Sequence, residues 1–132
     1  MDMSGFEICI PMQGRGSPAF SITENGVTFN AQVTTLLRFP EYVQFLVNRS
    51  SKQAALRVCE KNADGALKFY KRKIQHGMDV YSIRWNSQSV KDIVMQLIGT
   101  TEIGYGFRVK GRLVEPGLVL FDMSNAKRIG SK

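Results

Sequence analysis

Two groups of lysine and arginine residues are the candidate functional residues of this chain, and their side chains are suited to binding phosphate. The first group is Lys68-Phe69-Tyr70-Lys71-Arg72-Lys73, where four positive charges accompany two aromatic rings within six residues. The second group alternates along a predicted strand at Arg108, Lys110 and Arg112, so its side chains share one face. A basic ladder on an antiparallel pair of strands suits a phosphate backbone.

Both groups also have a plain structural explanation. Phe69 and Ile74 could face the core while the charges around them protect a sheet edge from aggregation, and the ladder could be an ordinary solvated face, opposite Phe107, Val109 and Leu113. We interpret the aromatics as core residues and the charges as the functional part. The residues predicted to bind nucleic acid are Lys68, Lys71, Arg72, Lys73, Arg84, Arg108, Lys110 and Arg112.

The charge of the whole chain favours the same class of partner. Its 132 residues carry 18 lysines and arginines against 11 acids, for a net charge of +7. Such an excess favours polyanions, nucleic acid above all. One continuous basic stripe on the folded protein would support nucleic-acid binding, whereas an even scatter would support a small-ligand-binding or protein-interaction module.

Patterns typical of catalysis or metal binding are weak in this sequence. His76 is the sole histidine, and Asp79 is the one acid close to it, with no serine or cysteine at motif spacing. Cys9 and Cys59 lie far apart, without histidines at metal-ligand spacing. The sequence therefore predicts no enzyme, no metal site and no cofactor.

The elements that must position the basic residues form an internal repeat. A strand region, a short capped helix and a β-hairpin occur over residues 20–60 and again over 81–123. An aromatic residue followed by asparagine opens the helix in both copies, as Phe29-Asn30 and as Trp85-Asn86. We interpret the two copies as one supersecondary unit used twice and packed against itself.

Local signals define the elements of the first copy. Asn25-Gly26 lies between two apolar alternations, which is a strong hairpin signal. Asn30 suits the N-cap of a helix that contains Val33 to Leu37 and stops at Phe39-Pro40. The apolar runs within residues 42–58 then predict an antiparallel hairpin.

The second copy has the longer helix. The apolar stripe predicts this helix over about 87–98, and Gly99 lies where a left-handed residue ends a helix. Alternation predicts a strand over 104–112, and a turn leads to a returning strand over 118–121.

Together these elements predict one domain, mostly β with one or two short helices. A strand-like run at Phe6–Ile10 precedes the repeat. No stretch approaches the ~20 apolar residues that span a membrane, and we expect a cytoplasmic protein without a membrane partner. The predicted organisation within 1–132 is a β-α-β-β unit at 20–60, a basic connector at 61–80, a second unit at 81–123 and a flexible tail at 124–132.

The first unit resembles the swapped-hairpin modules of AbrB/MazE-like regulators, in which two units interlock into one double-split β-barrel. The resemblance rests on Ser21-Ile-Thr-Glu-Asn25-Gly26-Val-Thr-Phe29, on the helix of Val33 to Leu37 and on the Tyr42 to Val58 hairpin. It implies a pseudo-duplicated barrel that one chain could complete. It also implies a transcription regulator that binds DNA, or the antitoxin part of a toxin–antitoxin pair with a cognate toxin as partner.

The functional hypothesis is therefore a small, basic DNA-binding regulator that forms a homodimer and so doubles its contact area. The alternative is a small-ligand-binding or protein-interaction module that does not bind nucleic acid.

Overall fold

A computed structural model describes residues 17–130 of the chain. The strand predicted at Phe6–Ile10 and the residue Cys9 lie outside the described residues.

The first unit contains two hairpins separated by a short helix. Asn30 caps the helix, because its side-chain oxygen accepts a hydrogen bond from the Val33 backbone N–H at 3.3 Å. The predicted helix after Asn30 and the predicted hairpin over 42–58 are confirmed. In chain order the elements are β1 (Ala19–Thr23), β2 (Gly26–Phe29), α1 (Ala31–Leu36), β3 (Tyr42–Asn48) and β4 (Gln53–Val58).

The second unit has one strand, a longer helix and a hairpin. The helix predicted over 87–98 is confirmed: Ser87 accepts a hydrogen bond from the Val90 N–H at 3.3 Å, and Gly99 ends the helix with a φ of 90°. In chain order its elements are β8 (Ile83–Trp85), α2 (Gln88–Ile98), β9 (Phe107–Glu115) and β10 (Leu118–Asp122). A 3-10 helix (Met123–Asn125) and the short strand β11 (Lys127–Arg128) follow.

The connector between the units contains three short strands. One of them pairs with the edge strand β3, and within residues 17–130 the other two pair only with each other. They are β5 (Leu67–Lys68), β6 (Ile74–Gln75) and β7 (Met78–Asp79).

Nine strands form one curled sheet in the order β5-β3-β4-β10-β9-β1-β2-β8, and β11 adds to β9. The pairs β4–β10, β9–β1 and β2–β8 join strands of the first unit to strands of the second, all antiparallel. The two end strands of this order come together where the Trp85 indole N–H donates to the Lys68 carbonyl at 3.1 Å. The prediction of a mostly β fold with two short helices is confirmed.

The hairpin of β1 and β2 differs by one residue from the predicted Asn25-Gly26 turn. Its turn residues are Glu24 and Asn25, and Gly26 pairs with Thr23 as the first residue of β2. Gly26 has a φ of 127°, and an added Cβ would lie 2.5 Å from the Trp85 carbonyl oxygen. Glycine is required at this position because β8 passes too close for a side chain.

Aromatic rings form the centre of the core. Phe29 is fully buried, and its ring centroid lies 4.9 Å from Trp85, 5.7 Å from Phe69 and 6.0 Å from Phe121. These rings come from β2, β8, β10 and the residue that follows β5, so one cluster ties the sheet together.

Two apolar residues that could have faced the core, Ile74 and Leu113, are exposed. Ile74 is 56% exposed, because β6 pairs only with β7 among the described strands and no described element covers this ribbon. Leu113 is 42% exposed, since β1 pairs only with residues 107–110 of β9 and does not reach Leu113.

The segment predicted as a flexible tail pairs with the sheet over part of its length. Lys127 lies opposite Arg108 and Arg128 lies opposite Phe107, and the Arg128 guanidinium lies 4.6 Å from the centroid of the Phe107 ring. The small, polar composition of the segment does not predict a pairing that depends on a strand elsewhere in the chain.

Among residues 17–130, no helix has both the length and the apolar character that crossing a membrane requires.

Candidate nucleic-acid interface

A row of five residues crosses five neighbouring strands on one face of the sheet. The register places Lys127 opposite Arg108, Arg108 opposite Ser21, Ser21 opposite Thr28, and Thr28 opposite Arg84. Residues directly opposite one another on paired strands share a face. At the usual strand spacing this row, which we call the basic row, runs about 19 Å along the curled sheet.

Strand alternation explains why the basic row faces outwards. On β9, Phe107 and Val109 are buried while Arg108 and Lys110 are exposed. Because successive side chains point to opposite faces, the buried pair fixes the two cations on the outer surface. The predicted ladder is therefore present at these two positions.

Arg112 continues the ladder in sequence but belongs to a different part of the sheet. β9 pairs with β1 only as far as Lys110, and from Gly111 onwards it pairs with β10, so that Arg112 lies opposite Leu120. The sequence shows the alternation but does not show that the strand changes partners between Lys110 and Gly111.

A cleft of about 560 Å³ lies at the β8 end of the basic row. Thr28 and Arg84 form its sheet side, and Lys71, Lys73 and Gln75 line it from the connector. We call this space the arm cleft. It brings together three of the eight predicted residues, with cations on both sides, and none of the described residues that line it is acidic.

A groove of about 410 Å³ lies at the opposite end of the row. Arg108, Lys110 and Lys127 supply its positive charge, beside Ser124 and Asn125. A smaller groove of about 270 Å³ shares Lys110 and Asn125 and adds Arg112. Cations thus lie at both ends of the row, with the short hydroxyl side chains of β1 and β2 between them.

Two predicted site residues have acidic neighbours: Arg72 lies next to Asp79, and Arg112 lies near Asp122. Arg72 forms a salt bridge with Asp79, with 3.0 Å between Nε and Oδ1, and this contact raises the pKa of Arg72. The carboxylate of Asp122 accepts hydrogen bonds from the Ser124 hydroxyl at 2.7 Å and backbone N–H at 3.0 Å. These bonds, with a smaller attraction to Arg112, hold the pKa of Asp122 below its ordinary value.

The other cations of the site keep their charge available to a ligand. Within residues 17–130, no acidic side chain forms a salt bridge with Lys71, Lys73, Arg84, Arg108 or Lys110.

Lys68 and Arg72 stand apart from the grooves. Lys68 is exposed on β5, and neither residue lines the arm cleft or the grooves beside β11.

Sequence reasoning missed several residues of the site. Lys127 was assigned to the tail, and Ser21 and Thr28 carry no charge that would single them out. Their alternation with the buried Phe20, Ile22 and Val27 was the one signal that could have placed the two hydroxyls on the outer face.

His76 lies exposed in the turn between β6 and β7 with a φ of 52°. In the described part of the chain, no group of three His, Cys, Asp or Glu side chains could hold a metal ion.

No protein-family model, curated protein or solved structure matches the chain significantly.

Proposed function

We propose that this protein is a small regulator that binds DNA through contacts between its outer cations and the phosphate backbone. The observation that carries the proposal is the basic row, which connects the arm cleft to the groove beside β11 in one direction across the sheet. Cations at both ends of one row, separated by two short hydroxyl side chains, form a surface along which a phosphate backbone can lie.

The spacing of the cations favours a duplex. Arg108 and Arg84 are three strand spacings apart, about 14 Å along the sheet, which is comparable with the major groove width of about 12 Å. The two arginines can therefore contact phosphates on the two sides of one groove. Ser21 and Thr28 lie between them and are short enough to let a backbone approach, and their hydroxyls can donate to phosphate oxygens.

We also propose that the two units are pseudo-equivalent halves of a swapped-hairpin-like, double-split barrel. The support is the register of β2 with β8, in which Val27 lies opposite Trp85 and Phe29 lies opposite Ile83. Phe29 and Trp85 hold matched positions, each directly before the asparagine of its unit, and Val27 and Ile83 are matched two residues earlier. If the two units are exchanged, the pair Val27–Trp85 therefore becomes the pair Ile83–Phe29, which is also present. An experimental structure in which β2 and β8 do not pair would contradict this part of the proposal.

The proposal includes a homodimer, which would double the number of phosphate contacts. Light scattering of the purified protein tests this point, because a monomer at concentrations that saturate DNA would exclude it. The antitoxin role and its toxin partner stay predictions of the family resemblance.

The main test is a gel-shift titration at several salt concentrations with two double variants of equal charge. Arg84→Gln with Arg108→Gln removes two charges from the basic row, whereas Arg49→Gln with Arg57→Gln removes two from the β3–β4 hairpin. Each phosphate contact contributes about 0.9 to the slope of log affinity against log salt. We expect the first variant to reduce that slope by about 2 and the control to leave it unchanged.

Two results would overturn the proposal. One is an undetectable or salt-insensitive affinity of the unmodified protein for DNA. The other is an equal reduction of the slope in both double variants, which would show that the charge acts without a defined surface and would favour the small-ligand or protein-interaction alternative.

A further inference from the structure

The connector forms a β-ribbon that projects from the sheet. Ile74 lies opposite Asp79 and Gln75 lies opposite Met78, and the Val80 N–H donates to the Lys73 carbonyl at 2.8 Å. Residues 71–79 are all exposed, and β6 and β7 pair with no other strand of residues 17–130. We call residues 71–80 the ribbon arm.

The ribbon arm has a defined turn and a defined base. His76 and Gly77 form its tip with φ values of 52° and 78°, and positive φ at both central residues is the turn that matches the twist of a two-stranded ribbon. At the base, the ring centroid of Phe39 lies 5.2 Å from those of Tyr70 and Tyr81. These contacts anchor an arm that would otherwise be too small to be stable by itself.

The two faces of the ribbon arm differ in chemistry. Lys71, Lys73 and Gln75 alternate along the segment that leads into and includes β6, and they line the arm cleft. Met78 joins them because it lies opposite Gln75. The other face holds Ile74 and the salt bridge between Arg72 and Asp79. We call the face with Gln75 and Met78 the reading face.

From this arrangement we infer that the ribbon arm enters the major groove of duplex DNA and reads base edges with Gln75 and Met78, an inference that rests on the proposed function. The major groove is wide enough for a two-stranded ribbon. The glutamine amide can pair with both N6 and N7 of adenine, and an apolar side chain can contact the methyl group of thymine. Met78 is 71% exposed and free to make such a contact.

The distances along the arm fit this insertion. Gln75 lies two residues beyond Lys73, about 6.6 Å along a strand, and the major groove is about 8.5 Å deep. When Gln75 reaches the base edges, Lys73 therefore lies near the level of the phosphates. Lys71 lies farther from the tip than Lys73, and Lys71 and Arg84 both line the arm cleft, which can seat the phosphate strand that borders the groove.

The same cleft disfavours a single-stranded ligand. Single strands are held by aromatic rings on which successive bases stack. Among the described residues that line the arm cleft, Phe69 is the one aromatic, and it is only 6% exposed, so it offers no ring face to a base. The charges and the ribbon together fit a duplex.

The test is a selection of binding sites from a randomised duplex library by the full chain, followed by affinities for the selected and a scrambled duplex. We expect the unmodified protein to select a site with a preferred A·T pair. Gln75→Ala with Met78→Ala should lower the ratio of the two affinities roughly tenfold or more, with little effect on the scrambled duplex. Ile74→Ala, on the other face of the arm, is the matched control and should keep the ratio.

The possible failures separate this inference from the proposed function. Salt-dependent duplex binding without any selected sequence would overturn the inference and leave the proposed function standing, and no affinity for nucleic acid would overturn both. Tighter binding to single-stranded than to double-stranded DNA would overturn the inference, and so would equal losses of affinity for the selected and scrambled duplexes in the double variant.

Circular dichroism and the fluorescence of Trp85 establish that each variant is folded.

Discussion

Thr28 on β2 lies directly opposite Arg84 on β8, and this pair joins the two halves of the chain at the sheet side of the arm cleft. Thr28 also lies opposite Ser21, which lies opposite Arg108. The pairing of β2 with β8 therefore places Arg84 of β8 on the same surface as the cations of β9.

A carboxylate at position 28 should weaken DNA binding. Thr28→Glu places a negative charge opposite Arg84 and next to any phosphate in the cleft, so we expect about a tenfold loss of duplex affinity at low salt, which corresponds to about 1.4 kcal/mol. Thr28→Val keeps the shape and the strand preference of threonine but removes the hydroxyl that can donate to phosphate, so it should lower the affinity by about threefold, less than Thr28→Glu. Fluorescence anisotropy with a labelled duplex measures both, and equal affinities of the two variants would contradict the prediction.

Removal of the Phe29 ring should cost much of the stability. Phe29 is fully buried and has four aromatic neighbours, so we expect Phe29→Ala to lower the free energy of unfolding by about 3–5 kcal/mol. Phe39→Ala is the comparison, because Phe39 is 40% exposed, and it should cost about 1 kcal/mol or less. Urea denaturation followed by circular dichroism measures both. A larger loss of unfolding free energy for Phe39→Ala would contradict the placement of Phe29 at the centre of the core.

Gly26 should tolerate a side chain less well than Gly65, which also has a positive φ. At Gly26 an added Cβ would lie 2.5 Å from the Trp85 carbonyl oxygen, whereas at Gly65, with a φ of 69°, it would meet no atom within 4 Å. Gly65→Ala should cost about 1 kcal/mol from backbone strain alone. Gly26→Ala should cost more, by about 1–3 kcal/mol, because β2 and β8 must also separate.

The same denaturation experiment compares the two glycine variants. Equal losses of stability would mean that β8 does not lie against Gly26, and the close approach of the two units would then be wrong.

Asp122 should titrate below the ordinary pKa of an aspartate. Its carboxylate accepts two hydrogen bonds from Ser124, which stabilise the charged form. Because the pKa is lower in the folded state, the stabilisation is present above the unfolded value of about 3.9 and is lost as the pH falls through the folded value. An NMR titration of the side-chain carboxyl carbon measures this pKa.

Ser124→Ala should bring the pKa of Asp122 back towards the ordinary value and remove this acid-sensitive part of the stability. Ser89→Ala, at an exposed serine of α2, is the control and should leave that pKa unchanged. An ordinary pKa for Asp122 in the unmodified protein would rule out the capping of the 3-10 helix by its charged side chain.

Local structure was largely predictable from the sequence because it depends on residues close together in the chain. Asn30 and Gly99 mark the start of α1 and the end of α2 through bonds within one turn of each helix. Alternation also placed Arg108 and Lys110 on one face of a strand.

Exposure was less predictable, since alternation shows which face a residue shares but not whether another layer covers that face. Ile74 could have been an inward residue, yet it is 56% exposed, because no other described strand pairs with the ribbon arm. The sequence likewise did not distinguish Arg72, which pairs with Asp79, from Lys71 and Lys73, which line the arm cleft.

The sequence by itself determined the helices, the hairpins and the excess of positive charge. Only the tertiary structure decided which strands became neighbours, and so brought Arg84 and Arg108 onto one surface and added Lys127 to it. The physical reason is that capping and turn formation depend on nearby residues, whereas strand pairing depends on how the whole core packs.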